Sequence, residues 1–347
     1  MRDVDGWALT EPGGTMRPWR FTRRDPRPDD VVVRVTHCGV CHTDLHAVQG
    51  ARAGDLPVVP GHEFVGVVEA VGPDVTRFAV GDRVAVGNIV DACGRCRSCR
   101  EREESYCLEF PTLTYGGVDR VDGSRTLGAY STEYVVREAF AYPLPDGLDP
   151  AGAAPLMCAG TTVWQPLRRY GAGPGVRVGV VGLGGLGHLA VKFAAALGAR
   201  VTVFTTSAAK ADDARAAGAH EVVVSRDAAA MAAAARSLDL VLDTAPAAHD
   251  LGPYVEVLDM DGTLCMLGIP ASYEVPALPL LVGRRRLTAS GSGGTRDTAE
   301  MLAFAAEHGV VADVEVLPLE RVQEALDRLD RGDVRGRFVL AVPGATA

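Results

Sequence analysis

Gly182-Leu183-Gly184-Gly185-Leu186-Gly187 stands directly behind the β-branched run Val176–Val181 and directly ahead of the helical stretch His188–Leu197. A dinucleotide-binding turn needs this setting. Its glycines make the tight bend, admit the pyrophosphate to the backbone and let helix approach strand, and the helix N-terminus faces the phosphates. Forward of the turn, strand patterns recur between helical stretches at Val201–Phe204, Glu221–Ser225, Leu240–Asp243, Thr263–Leu267 and Arg286–Ala289. Six strands in βα alternation predict an α/β domain with a doubly wound parallel sheet. The Ala-rich piece Ala228–Ala235 falls inside that alternation and reads as a helix, not a linker.

About 20 residues past such a turn, an NAD site usually places an acid against the ribose diol. Here the second strand ends Phe204-Thr205-Thr206-Ser207-Ala208-Ala209-Lys210. Three hydroxyls and an ammonium suit a 2′-phosphate, which makes NADP(H) the expected cofactor; Thr and Ser at this place also serve as ordinary helix caps. The candidate cofactor residues are therefore Gly182, Gly184, Gly185, Gly187, Thr205, Thr206, Ser207 and Lys210.

Behind the turn, the first 150 or so residues alternate short β-branched runs (Val31–Val35, Val65–Val71, Arg83–Val86, Thr132–Val136) with Gly, Pro and Asp breaks. They predict a β-rich domain with long loops. One helix joins the two architectures, with Asp149 as N-cap, Pro150 in its first turn and Gly171 at its end. The tail offers a helix near Thr298–Glu307, a strand at Val314–Leu317, a helix at Glu320–Arg331 and a strand at Arg337–Val342. These elements either extend the second domain or return to the first.

Composition narrows the partners. A formal charge of −9 argues against nucleic acid, whose binding rests on clustered Lys and Arg. No apolar run approaches the ~18 residues of a membrane span. A small molecule is the expected partner. The charged start Met1-Arg2-Asp3-Val4-Asp5-Gly6-Trp7 does not read as a secretory signal, which gives a cytoplasmic expectation. Eight cysteines in a reducing compartment at short spacings point to metal rather than disulfides.

Cys93, Cys96, Cys99 and Cys107 lie on one loop as C-x2-C-x2-C-x7-C. Four thiolates so spaced wrap a tetrahedral Zn²⁺ with no open position, a structural site; an iron–sulfur cluster or unrelated buried thiols are the alternatives. Other candidate ligands are scattered: Cys38-Gly39-Val40-Cys41-His42-Thr43-Asp44-Leu45-His46, then Gly61-His62-Glu63, then Cys158. A Cys/His/Cys set leaves a fourth position for water or substrate, the pattern of a catalytic zinc. Each piece alone is weak, since Cys158 in an apolar helix is by default a small core residue.

Taken together these motifs resemble the zinc-containing medium-chain alcohol dehydrogenases, most nearly the cinnamyl-alcohol-dehydrogenase-like branch with its broad-range bacterial NADP-dependent aldehyde reductases. The likeness spans nearly the whole chain, including Pro60-Gly61-His62-Glu63, Cys158-Ala159-Gly160-Thr161-Thr162 and, in the tail, Arg331-Gly332-Asp333-Val334. It implies a GroES-like β-rich catalytic domain of residues 1–158 and 296–347 with both zinc sites, and a Rossmann NADP-binding domain of residues 159–295. It also implies two zincs per chain, the catalytic one held by Cys41, His62 and Cys158, with Glu63 able to take the fourth place; Cys38 is then not a ligand. Thr43 would hydrogen-bond the substrate oxygen and His46 would exchange the proton with solvent. His42, Thr162, Gly268 and Ile269 would contact the cofactor, and the tail would return to the first domain. The implied reaction is hydride transfer between NADP(H) and aldehydes or primary alcohols, in a homodimer. A reductase of C=C or iminium bonds and a non-catalytic NADPH-binding protein are the competing readings. The sequence departs from the branch at Ala289-Ser290-Gly291-Ser292-Gly293-Gly294-Thr295, where relatives usually carry bulky apolar residues; a gap in the pocket and a broad substrate range are expected from it.

Overall fold

A computed structural model describes residues 1–344 and divides into two compact units, residues 1–158 with the segment from Gly293 onward, and Ala159–Ser292. The second unit is a six-stranded parallel sheet in the spatial order Glu221–Val224, Arg200–Thr205, Arg177–Val181, Leu238–Asp243, Leu258–Met266, Arg286–Ala289. In Arg177–Val181 all residues after the first are buried, as a strand covered on both faces requires. Helices Gly187–Ala196, Ala211–Ala216, Ala228–Ala233, Gly252–Glu256 and Ala277–Gly283 alternate with the strands. This is the doubly wound Rossmann arrangement, in which chain order reverses between Arg177–Val181 and Leu238–Asp243.

The first unit is a mostly antiparallel GroES-like sheet in the order Val314–Pro318, Arg337–Ala341, Asp30–Val40, Phe64–Val71, Arg83–Val86, Ala141–Pro143, with Glu133–Arg137 also paired to Asp30–Val40. The tail thus returns to the first unit: Phe338 opposes Val40 and Leu340 opposes Cys38. Val31, Val33, Val35, Phe64, Val84 and Leu340 are fully enclosed in one apolar core, each such side chain stabilising the fold by about 1.5–3 kcal/mol. Strand pairs Arg2–Ala8 with Arg17–Arg23 and Ile89–Asp91 with Thr112–Leu113 complete the unit.

The single joining helix expected from Asp149 to Gly171 is not one helix. Asp149 does cap Pro150–Ala153, accepting from the Gly152 N–H at 2.9 Å. A 3₁₀ turn Ala154–Met157 follows, and Cys158 breaks the path with φ −124° and ψ −72° before the helix Ala159–Arg169. Pro155 explains the interruption, because it lacks an N–H and crowds the turn before it. Cys158 is consequently not an inward-facing helical core residue; the break sets its thiol apart. No helix among the described residues is long and apolar enough to cross a membrane.

Candidate functional site

Cys41 directly follows the strand Asp30–Val40 and stands as N-cap of the helix His42–Gln49. His62 and Glu63 lead into the neighbouring strand Phe64–Val71, and Cys158 occupies the break described above. One ligand atom from each of these four residues lies within 4.8 Å of all the others. Cys41 Sγ is 4.0 Å from Cys158 Sγ, and His62 Nε2 is 3.3 Å from the same sulfur. Donors set tetrahedrally about 2.3 Å from one Zn²⁺ lie roughly 3.8 Å apart, so the set fits a zinc ion. Its charge fits as well: two thiols and a carboxyl enclosed together call for a dication. The hydrogen bond from Cys158 holds the Cys41 thiol well below its ordinary range, and the same bond pushes Cys158 up. Cys38 points elsewhere, its thiol 3.6 Å from the Gly39 carbonyl.

Two residues of this centre carried no role in the sequence reading. Asp44 is fully buried; its Oδ2 accepts from the Cys41 N–H at 2.9 Å, and its Oδ1 accepts from the Gly61 N–H and faces His62 Nδ1, each at 3.0 Å. A carboxylate there fixes the His62 tautomer and leaves Nε2 to bind metal. Its signal was available, because a metal-binding histidine needs such a partner and Asp44 sits in the quoted motif. Arg337 is the second: its Nη2 donates to Glu63 Oε2 at 2.5 Å, with both side chains buried. Burial pushes the Glu63 carboxyl up to about 8, and Arg337 opposes that rise.

Thr43, His42 and His46 are exposed on the helix His42–Gln49, and the Thr43 hydroxyl lies 3.7 Å from Cys41 Sγ. His46 lines a cavity of about 290 Å³ together with Ala47, Val58, Tyr115, Arg125 and Leu127. The Tyr115 ring packs 5.7 Å from that of His62.

Cys93, Cys96, Cys99 and Cys107 also gather within 4.8 Å. Cys93 Sγ and Cys96 Sγ lie 3.8 Å and 3.4 Å from Cys99 Sγ, again the spacing of one tetrahedral ion. Backbone N–H groups of Cys99 and Leu108 pull the Cys96 thiol down to about 6, toward the thiolate a metal requires. The lobe is anchored through Glu104, which accepts from Thr295 N at 2.8 Å and Thr295 Oγ1 at 3.0 Å at the start of the helix Thr295–His308. A Cβ on Gly294 would meet the Arg102 carbonyl at 2.2 Å. Gly294 therefore permits a close backbone approach and is no missing pocket wall. Gly291 of this run is open, with nothing within 4 Å of an added Cβ.

In the second unit the turn fits a dinucleotide. Gly182 has φ +86°, nothing lies within 4 Å of a Cβ built on Gly184, and one on Gly187 would strike the Gly182 carbonyl at 2.1 Å. Bend, open approach and close packing thus fall to three successive glycines of the pattern. Thr205 is buried and its hydroxyl accepts from the Ser207 N–H at 3.3 Å, which leaves Thr206, Ser207 and Lys210 exposed. Lys210 Nζ reaches back to the Leu183 carbonyl at 3.4 Å, over the glycine turn. Ile269 is 90% exposed next to Gly268, and Thr162 is buried in the helix Ala159–Arg169.

Residues 27–146 match the family described as "Alcohol dehydrogenase GroES-like domain", and residues 185–307 match "Zinc-binding dehydrogenase". The chain is 46% identical over 345 residues to a probable mannitol dehydrogenase of Fragaria ananassa, covering 98% of this chain and 96% of that protein. It is 46% identical over 344 residues to the aldehyde reductase YahK of Escherichia coli, covering 98% and 97%. Among solved structures it resembles the cinnamyl alcohol dehydrogenase SbCAD4 of Sorghum bicolor, with TM-score 0.94, 44% identity and 99% of each chain covered. A cinnamyl alcohol dehydrogenase of Helicobacter pylori complexed with NADP(H) follows at TM-score 0.89 and 30% identity, covering 98% of each chain. With two metal-fitting donor sets and a dinucleotide turn on this fold, the chain belongs to the medium-chain zinc-binding alcohol dehydrogenases, in their cinnamyl-alcohol-dehydrogenase-like group.

Proposed function

We propose that this dehydrogenase reduces a range of aldehydes to primary alcohols with NADPH. The observation that carries the reading is the convergence of Cys41, His62 and Cys158 with one replaceable carboxylate, Glu63, beside the exposed Thr43 hydroxyl. Zinc at this centre supplies Lewis acidity toward a carbonyl oxygen. Glu63, tied to Arg337, is the ligand able to yield its place to substrate. Thr43 donates a hydrogen bond to the substrate oxygen and passes on a proton that His46 exchanges with solvent. His42, Thr162, Gly268 and Ile269 position the nicotinamide half, and the glycine turn holds the pyrophosphate. NADPH over NADH is supported by Lys210 above that turn and by the lack of an acid from Thr205 to Lys210. A relative that is an aldehyde reductase and a similar structure complexed with NADP(H) point the same way.

A homodimer is part of the proposal. Arg286–Ala289 is an edge strand, and Leu278, Leu281 and Val282 on the preceding helix are exposed apolar residues that a second copy would cover. Eight free cysteines, seven of them within the two metal sets or beside them in the core, suit the reducing cytoplasm. Loss of NADPH absorbance with a panel of aldehydes tests the function. Alcohol products with intact double bonds support it, reduction of C=C bonds gives the competing reductase, and no turnover with any aldehyde overturns it.

A further inference from the structure

The loop after Leu238–Asp243 leaves the sheet where chain order reverses, the place where ligands lie in open α/β sheets. Its packing ties it to both neighbours. Thr244 Oγ1 donates to the Val181 carbonyl at 2.7 Å, immediately before the glycine turn. On the other side, the Leu267 N–H donates to the Asp243 carbonyl at 2.8 Å, and a Cβ on Gly268 would lie 1.9 Å from the Ala245 carbonyl. Residues 244–250 are thus wedged between the glycine turn and the end of the fifth strand.

One side chain of this loop turns back to its root. His249 Nε2 lies 3.3 Å from Asp243 Oδ2, and His249 Nδ1 lies 3.0 Å from the Ala247 carbonyl. The His249 ring stands edge-on to Tyr254 at 5.5 Å, and Tyr254 edge-on to Phe204 at 5.6 Å, one residue before Thr205. Asp243 is 1% exposed; Oδ1 accepts from the Ala245 N–H at 3.1 Å. Neither Asp243 Oδ2 nor His249 Nε2 makes a hydrogen bond to any described residue, so their 3.3 Å ion-pair approach is the one polar contact open to both. Burying such groups is costly unless they serve each other. Burial raises the Asp243 carboxyl from its ordinary value, and the nearby His249 works against that rise.

We propose that the Asp243–His249 pair is a clasp that holds loop 244–250 in the shape that receives the dinucleotide, which makes His249 a positioning residue for NADPH. The proposal rests on the reading of the second unit as an NADPH site. Without the clasp the loop has to be ordered anew at each binding event, so affinity falls while the chemistry of bound reactants is untouched.

The test is a fluorescence titration of the zinc-loaded, full-length enzyme with NADPH, beside steady-state kinetics. His249→Ala raises Kd and the KM for NADPH by about tenfold, the size of an ordering cost for one short loop, with kcat at saturating NADPH and the Tm of the cofactor-free enzyme unchanged. His249→Gln recovers most of the affinity, since its amide nitrogen can donate to Asp243 from the same place. Should His249→Ala fail to fold, His249→Phe keeps the ring against Tyr254, removes both nitrogens and is expected to give the same split. An unchanged Kd in these variants overturns the clasp, as does a kcat that falls along with affinity. A wild type that takes NADH and refuses NADPH overturns the cofactor reading alone, and the clasp is then read from the same variants with NADH.

Discussion

Arg337 and Glu63, 274 residues apart in sequence, meet in a buried ion pair at 2.5 Å beside the Cys41–His62–Cys158 set. The antiparallel pairing of Arg337–Ala341 with Asp30–Val40 brings them together, because Glu63 borders the strand on the other side of Asp30–Val40. Above about pH 8, where the Glu63 carboxyl is ionised, removing Arg337 leaves an uncompensated buried charge. Arg337→Leu is expected to cost about 3–5 kcal/mol of stability, measured by denaturant unfolding of the zinc-loaded enzyme. Arg337→Leu combined with Glu63→Gln should cost clearly less than Arg337→Leu alone; an equal loss would show that packing rather than charge is at stake.

The two metal sets should separate by phenotype. Metal analysis is expected to give two zincs per chain. Cys99→Ser should lower Tm and release one zinc, because that loop has little apolar core of its own. Cys41→Ser should abolish turnover and leave the far-UV spectrum intact. An active Cys41→Ser enzyme would end the catalytic reading of that centre.

In the proposed reaction, proton transfer rests on the Thr43 hydroxyl and the His46 imidazole. Thr43→Val, nearly isosteric, should lower kcat by about 10²-fold, within the range for a positioned proton transfer. His46→Ala should lose less, since water reaches its exposed position, and added imidazole should restore part of the rate. Failure of imidazole to act on His46→Ala while restoring nothing in other variants would remove His46 from the relay.

Lys210 and Lys192 are the chain's two lysines, which makes amine chemistry a selective probe of the cofactor loop. NADP⁺ should protect Lys210 from an amine-reactive label more strongly than NAD⁺ at the same concentration, read by peptide mass spectrometry. Because Thr205 is buried and its hydroxyl is engaged, the discriminating variant is Thr206→Asp with Lys210→Ala. It should flatten or reverse an NADPH preference of about tenfold or more in kcat/KM. Wild-type preference for NADH would refute the assignment.

Gly294 and Gly291 make an internal control. A side chain at 294 collides with the Arg102 carbonyl, so Gly294→Ala should destabilise by about 1–3 kcal/mol through overpacking. Gly291→Ala, facing open space, should stay within about 0.5 kcal/mol. Equal Tm values for the two variants would contradict the close approach.

Local sequence carried the alternation of the second unit, the glycine turn and the four-cysteine set, because each depends on period, spacing or donor chemistry written over a few residues; the scattered Cys41, His62 and Cys158 were joined by the family resemblance. Gly182, Gly184 and Gly187 act within one turn, and Cys93 to Cys107 lie on one loop, so neighbours along the chain settle their roles. Tertiary structure decided what depends on distant segments. It placed Arg337 against Glu63 through strand pairing, and it turned Cys158 toward the metal set by breaking a helix whose pattern reads as continuous. It also made Gly294 a point of backbone contact with Arg102, and gave His249 its partner in Asp243. None of these relations has a sequence period, since a buried charge or a close approach is satisfied by whatever the fold brings within reach, and that distance is fixed only when the sheets are assembled.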